Sequence, residues 1–552
     1  MAKEGVRSCV ARRATAVLAV AALGAGVAAG CGGETPPPEP VQTDATFPAH
    51  ELWPGAASRA AARERRARAA ARDARRRAEL RRLRASPTVP AALRRALLEG
   101  RLTRAEHDRM RRDYEAARAA VGRLEGARQA ELAAVVASVE QLAAAGRLGP
   151  GRFAPAFEQL RRNTVAWTRD PMPAPGERRV AGPAVLQYYV GRGFQLHPLA
   201  SWGRVNGLAH ACLRARRDPR SACRRTTLRR DLDGLVALAA PRGGFLAWEY
   251  YFSYGGGTPP WISGMAQATA VQALVRGARA LGEPRYARLA RRALGAFEQP
   301  PPVGVAVPAP GGSRYPMYSF DPGMRILNGE LQAIGGLRDA AVLAGGGQAR
   351  RLARSGDRAA RRVLPRFDTG AWSLYSAGGR ESTLHYHRLT TSFLGELCAR
   401  TGRRAYCRMA KRFARYEREP PRIRVARVRG ARARRETTLA YSLSKVSAVT
   451  VRVWGTRGLL LQRRETLPHG RHRIAWTPPS RGRFRMRVDA RGPEGLTGTT
   501  TRTIRVVHPK PKRASRRAER RRGRPGARRA AARARRRPEP RSLSRARDTR
   551  PR

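Results

Sequence analysis

The chain has 552 residues, with 111 lysines and arginines against 41 aspartates and glutamates, a formal net charge of +70. That length holds two or three domains with a real core, and such a charge draws polyanions: acidic polysaccharide, anionic lipid or nucleic acid. Neither a cofactor nor a metal is expected, because the glycine clusters at Gly255 and Gly345 lack a P-loop lysine or a strand before them and no CxxC spacing occurs.

Residues 1–31 read as an export signal. Arg7, Arg12 and Arg13 precede an apolar run too short and alanine-rich for a membrane span, which ends in AAGC at Cys31. Small residues before that cysteine resemble a bacterial lipoprotein box, although Ala28 stands where leucine is usual. Lipid attachment at Cys31, plain cleavage and a retained anchor all put the folded part outside the cytoplasm, as an extracellular or membrane-anchored protein. Residues 32–57 are proline-rich and form a linker.

Residues 58–172 form a helical, arginine- and alanine-rich region. Ser58 to Ser86 has helix propensity without a large apolar face. No groove-reading motif or RNA-binding aromatic pattern accompanies this basic helix, so a specific nucleic-acid partner is not expected. Pro87 ends it, Thr103 and Glu106 form a capping box for the next helix, and Leu132, Val135, Val136, Val139 and Leu142 keep helical spacing up to Gly146. Phe153 to Trp167 reads as a further helix, and the MPAPGE segment around Pro173 is a boundary.

Residues 180–418 hold paired amphipathic helices. Ala266, Ala270, Val271, Leu274, Ala278 and Leu281 form one stripe, stopped by Gly282, and Tyr286, Leu289, Ala293, Leu294 and Phe297 form the next. The pattern repeats at Leu327 to Leu337 and at Leu389 to Leu397 against Tyr406 to Tyr416. Four cysteines sit as Cys212 with Cys223 and Cys398 with Cys407, each pair spanning a polar break between helices. In an oxidising compartment they read as two local disulfides; the rival reading, zinc, has no supporting histidine or CxxC.

From Thr437 the period becomes alternating, at Val449, Val451 and Val453, at Phe484, Met486 and Val488, and at Ile504 and Val506, which predicts a small β-sandwich over 421–507. SLSKVSAVTVRVW, HRIAW and GRFRMRVDA resemble the immunoglobulin-like modules appended to exported bacterial proteins, read as a spacer or adhesion module. The tail, 508–552, is arginine, proline and alanine without periodicity and reads as disordered.

Between Gly243 and Tyr416 a set of motifs recurs in order: PPWISGMAQ at Pro259 to Gln267, YP at Tyr315 and Pro316, ILNG at Ile326 to Gly329, Gly336 with Leu337, FDTGAWSLY at Phe367 to Tyr375, and LHYH at Leu384 to His387. Together they resemble the C-terminal domain of the D-glucuronyl C5-epimerases. The resemblance implies a mainly α chain built on an α/α barrel of helical hairpins, and a carbohydrate epimerase, an isomerase, inverting C5 of uronic acids in an acidic polysaccharide. LQYYVGRGFQLHPL, at Leu186 to Leu199, resembles the aromatic entry segment ahead of that barrel, where His197 could meet substrate or serve as a hydrogen-bonded loop residue.

Inverting C5 requires two acid/base groups on opposite ring faces and positive charge beside the carboxylate. By family position the catalytic residues are Tyr315, Tyr375 and Tyr386, with Gln267 and Asn328 as hydroxyl partners. Trp261, on a lip at a helix start, is expected to meet a sugar ring, and His387 to orient substrate or carry a proton. The family's EEYP glutamates are missing, since Ser313 and Arg314 stand in their place. Arg314 and Arg388 could lower a tyrosine's pKa so that it serves as base. Glu249, Asp321, Glu330 and Glu381 are the other carboxylates near the motifs and the further candidates for the cleft. The alternatives are a catalytically silent glycan-binding surface protein and a uronate lyase.

Overall fold

A computed structural model describes residues 56–507 except 217, 219 and 221. The signal segment with Cys31, nearly all of the linker and the basic tail lie outside the described residues. Two compact units divide the chain, Met1–Arg75 and Arg76–Arg552. Helix α1 (Ala56–Ala85) begins in the first, where its only apolar residues are alanines. Everything below concerns the second.

Helices α2 (Val89–Leu98), α3 (Arg104–Arg123), α4 (Gly126–Ala144) and α5 (Phe153–Arg169) pack around Leu93, Tyr114, Val135, Val139 and Phe157. The capping box is present: Thr103 accepts from Glu106 N–H while the Glu106 side chain accepts from Thr103 N–H. In the aromatic entry segment and just before it, β1 (Arg178–Ala181), β2 (Ala184–Tyr189) and β3 (Gly193–Leu196) form an antiparallel sheet. The buried amide and carboxamide of Asn163 and Gln159 bond its edge, at Phe194 and Leu196.

Four hairpins follow: α6 (Pro198–Ala215) with α7 (Arg225–Ala237), α8 (Gly264–Leu281) with α9 (Pro284–Ala293), α10 (Leu327–Leu343) with α11 (Gly347–Val363), and α12 (Leu384–Thr401) with α13 (Arg404–Tyr416). The even-numbered helices pack in succession, α6 on α8, α8 on α10 and α10 on α12, into a barrel-like inner arc. Their close approach shows at Gly336, where a Cβ would stand 2.3 Å from the Ala268 carbonyl oxygen. Short hairpins, β4 (Ala240–Arg242) with β5 (Phe245–Ala247) and β6 (Val307–Ala309) with β7 (Gly312–Arg314), fill the connections.

Disulfides join Cys212 to Cys223 and Cys398 to Cys407. The first ties α6 to the segment just before α7 and the second ties α12 to α13, each near the inner helix's C-terminal end. Cys398→Ser opens a crosslink between residues 9 apart and is expected to cost about 2–3 kcal/mol, read as a lower denaturation midpoint than wild type under oxidising conditions and an equal one after reduction of both.

The C-terminal part forms two antiparallel sheets around a shared core that includes Leu439, Val451, Trp476, Met486 and Ile504. One sheet has β8 (Ile423–Val425), β9 (Thr437–Leu443) and β12 (Gly470–Trp476); the other has β10 (Ser447–Gly455), β11 (Gly458–Leu467), β13 (Gly482–Arg491) and β14 (Thr497–Val506). Buried Lys445 fixes this part to the helices by donating to the Tyr416 and Glu419 carbonyls, both at 2.6 Å, with Glu494 at 3.1 Å. No helix among the described residues is long and apolar enough to cross a membrane.

Candidate active site

The four inner helices run parallel, and their N-terminal ends open on one cleft of about 730 Å³. Leu199, Ala200, Gly203 and Asn206 come from α6, Met265 and Thr269 from α8, Asn328 and Gln332 from α10, and His385, Tyr386, Leu389 and Phe393 from α12. Four helix N-termini directed at one hollow make it favourable to negative charge. Six tyrosines line it: Tyr189, Tyr250, Tyr254, Tyr318, Tyr375 and Tyr386. Arg178 is its guanidinium, and none of its lining residues is a carboxylate.

Tyr375 and Tyr386 meet on one wall, their ring centroids 4.7 Å apart. Burial, then the neighbouring Tyr386 and Tyr254 phenols, push Tyr375 up to about 12, so it stays protonated and keeps its hydroxyl proton to donate. The loop that carries it is pinned from both sides: Tyr375 N–H donates to Arg380 O at 2.9 Å, and Glu381 accepts from Val446 N–H at 2.8 Å and His469 N–H at 2.7 Å. The β-rich part therefore buttresses the cleft as well as following it.

Tyr189 reaches the cleft from β2 and His197 from the start of α6. His197 Nδ1 accepts from Ala200 N–H at 3.0 Å as the N-cap of α6, which leaves the neutral ring's proton on Nε2 with no bonded partner. Burial, then the charge of Arg178, hold His197 down to about 4. Unfolding returns it to its ordinary value of 6.5, so between those values only the unfolded chain takes up the proton. Thermal stability contributed by this group is thus present above 6.5 and lost as pH falls toward 4. In a series of melting curves, His197→Asn, which retains a capping side chain, is expected to flatten that loss.

Asn328 is buried on the cleft wall, and its Oδ1 has no hydrogen-bond partner. An unmet buried carbonyl costs about 1–3 kcal/mol, and groups of this kind are retained where a ligand supplies the missing partner. Asn328→Ala is expected to hold or raise the melting temperature while weakening a uronate oligosaccharide about tenfold in calorimetric titration.

Several residues singled out from the sequence stand elsewhere, and each displacement has a local cause. Tyr315 is 1% exposed and does not line the cleft; its hydroxyl donates to Leu352 O at 2.8 Å, and a Cβ on Gly356 would touch its ring at 2.7 Å. Arg314 is buried against Glu330 at 3.1 Å, and Arg388 pairs with Glu417 at 2.7 Å on the surface. Neither lowers a cleft phenol, and burial raises Tyr315 above the ordinary range. His387 is sealed between Ser373 Oγ at 2.8 Å and Phe413 O at 3.0 Å and stacks on Trp372. Gln267 donates to the Leu246 and Ala293 carbonyls inside the core. Trp261 borders the cleft but is 4% exposed, with Tyr250 stacked on it at 4.0 Å, so no sugar can lie on that face. The four carboxylates considered for the cleft are engaged elsewhere: Glu249 with Arg152 and Arg242, Asp321 with Met324 N–H, Glu330 with Arg314, and Glu381 as above.

Comparison with known proteins bears on the helical hairpins. Residues 242–415 match the D-glucuronyl C5-epimerase C-terminus family. The matched segment runs from β4 to α13. An uncharacterized protein of Methanocaldococcus jannaschii is 27% identical over 176 residues, 31% of this chain. The chain spans 57% of that relative's length. Cellobiose 2-epimerase from Bacillus thermoamylovorans is a structural neighbour at 10% identity and a TM-score of 0.31, over 48% of this chain and 70% of that one.

The cleft residues missed from sequence had signals. WEYYFSY, from Trp248, alternates so that Tyr250, Phe252 and Tyr254 share one side of an extended segment, and all three line the cleft. Extending α12 back to Leu384 would have put His385 and Tyr386 on the face of Leu389 and Phe393, and His387 on the buried face of Thr390, Leu394 and Leu397.

Proposed function

We propose that the protein is an exported C5-epimerase acting on uronic-acid residues of an acidic polysaccharide, at the cleft between Tyr386 and His197. The observation that carries this reading is the cleft itself: phenol and imidazole donors on facing walls, the unmet Asn328 amide between them, and a surrounding field that favours an anion. The epimerase-family match supports the reaction class.

In this reading a group on one wall takes the C5 proton and the electron pair moves onto the substrate carboxylate. Arg178, the helix N-termini and the His197 Nε2–H stabilise that charge. A donor on the opposite wall then returns a proton to the other face. His385 is the base on the α12 wall, where its imidazole lines the cleft beside Tyr386, and it takes the place of the family glutamate. Tyr375 and Tyr386 are hydrogen-bond donors beside it, and Tyr189 on the facing wall is the donor to the opposite face.

Export through the N-terminal segment and attachment at Cys31 belong to the same proposal, as does an anionic membrane surface as a second contact for the basic regions. The absence of a carboxylate among the cleft residues favours one other reading, a silent glycan-binding protein with the same ligand. Incubation with a glucuronate polymer in heavy water separates them. Deuterium at C5 with inversion is the epimerase result, binding without exchange is the silent one, and new ultraviolet absorbance from an unsaturated uronate marks a lyase.

A further inference from the structure

A second cleft, of about 690 Å³, lies at the opposite, C-terminal ends of the same four inner helices. Hydrogen bonds close the space between the two: Asn206 donates to Gln272 at 3.0 Å, Gln272 to Asp339 at 2.9 Å, and Arg276 to Asp339 at 2.7 Å and to Asn206 at 3.2 Å. The clefts are thus separate.

The charge balance of the second one is lopsided. Asp339 is the single carboxylate among its lining residues and is already engaged by Arg276 and Arg400. Arg338 donates to Arg400 O at 3.1 Å, which compensates a helix C-terminus, and has no carboxylate partner among the described residues. Arg214 and Arg279 are exposed on the rim and make neither an ion pair nor a hydrogen bond among the described residues. Burial, followed by Arg276, Arg214 and Arg400, lowers His210, which shows how strongly these guanidiniums converge. Beside them runs an apolar strip, Leu213, Leu343 and Val342, the last 74% exposed.

We infer that this cleft is a second glycan site, which takes a segment of an acidic polysaccharide chain apart from the tyrosine cleft. Guanidinium forks suit carboxylate and sulfate groups, which they hold by paired hydrogen bonds. The apolar strip suits the C–H faces of the sugar rings between those groups, and guanidiniums spread around a cleft of this size fit a chain better than a single compact ion. The inference does not depend on turnover at the first cleft.

The test is calorimetric titration of the full chain with an oligogalacturonate hexamer in 0.15 M salt, where screening leaves little non-specific attraction between exposed charges about 8 Å or more apart. Wild type is expected to show two binding events. The variant Arg214→Gln/Arg279→Gln/Arg338→Gln should lose one of them, weakened at least tenfold. Arg288→Gln/Arg291→Gln/Arg292→Gln, which removes the same charge from exposed positions on α9, should keep both. Equal loss or equal retention in the two variants overturns the inference, as does displacement of the hexamer from this cleft by millimolar inorganic sulfate, which would mark a site for a compact anion. Hydrogen exchange on the wild type reads the same question without a variant: the hexamer should slow amides at 338–343, and no protection there contradicts the proposal.

Discussion

His385→Ala is expected to reduce solvent exchange at C5 of a glucuronate substrate by about 10²–10⁴-fold, the usual contribution of a positioned acid or base. Tyr386→Phe and Tyr375→Phe, which remove donors beside it, should fall by a smaller factor. Binding of the oligosaccharide should survive in all three, so kcat drops more than KM rises. The contrast lies with Tyr315→Phe. Its hydroxyl is spent on Leu352 O inside the core, so its removal should leave exchange within about twofold and cost about 1 kcal/mol of stability. A loss of exchange in Tyr315→Phe with His385→Ala unaffected would move the chemistry back to the motif tyrosine and away from the cleft.

The largest stability effect is expected at Arg314. Its side chain and that of Glu330 are each 4% exposed, at 3.1 Å from one another, and Arg314 also donates to Pro322 O at 2.9 Å. Burial outweighs the guanidinium's pull and holds Glu330 above the ordinary carboxylate range, so the pair is poised rather than strongly self-stabilising. Arg314→Met strands a buried carboxyl and should cost about 3–5 kcal/mol, measured as the shift in the urea midpoint followed by tryptophan fluorescence. The double variant Arg314→Met/Glu330→Leu replaces both partners with apolar groups and should recover most of that loss. A single variant as stable as wild type would place Arg314 in contact with solvent or substrate instead.

The helices were legible because each carries its own period and stops. Thr103 with Glu106 begins α3, Gly282 ends α8 at φ 77°, and the alternation at Val449, Val451 and Val453 marks β10. Such signals are local and survive without knowledge of neighbours. The site was legible only in part, because facing a cleft is a property of tertiary packing. Tyr315 and Tyr386 occupy equivalent places in ordered motifs, yet one hydroxyl is spent on a carbonyl of α11 and the other residue is 37% exposed at the mouth of α12. His385 and His387 are two residues apart on a helix, and that 200° rotation sends one to the cleft and the other to Phe413 O. Trp261 reads as a lip from sequence because nothing in PPWISG announces that Tyr250 will cover its face.

The central claim is that the uronate ring sits among these phenols, with one of its hydroxyls toward Asn328 Oδ1. A crystal structure of the protein with a glucuronate oligosaccharide tests it most directly. The account predicts a ring between Tyr386 and His197, with Asn328 Oδ1 accepting from a sugar hydroxyl and C5 within reach of His385. A sugar bound elsewhere, with the Asn328 carbonyl still unpartnered at saturation, would contradict it.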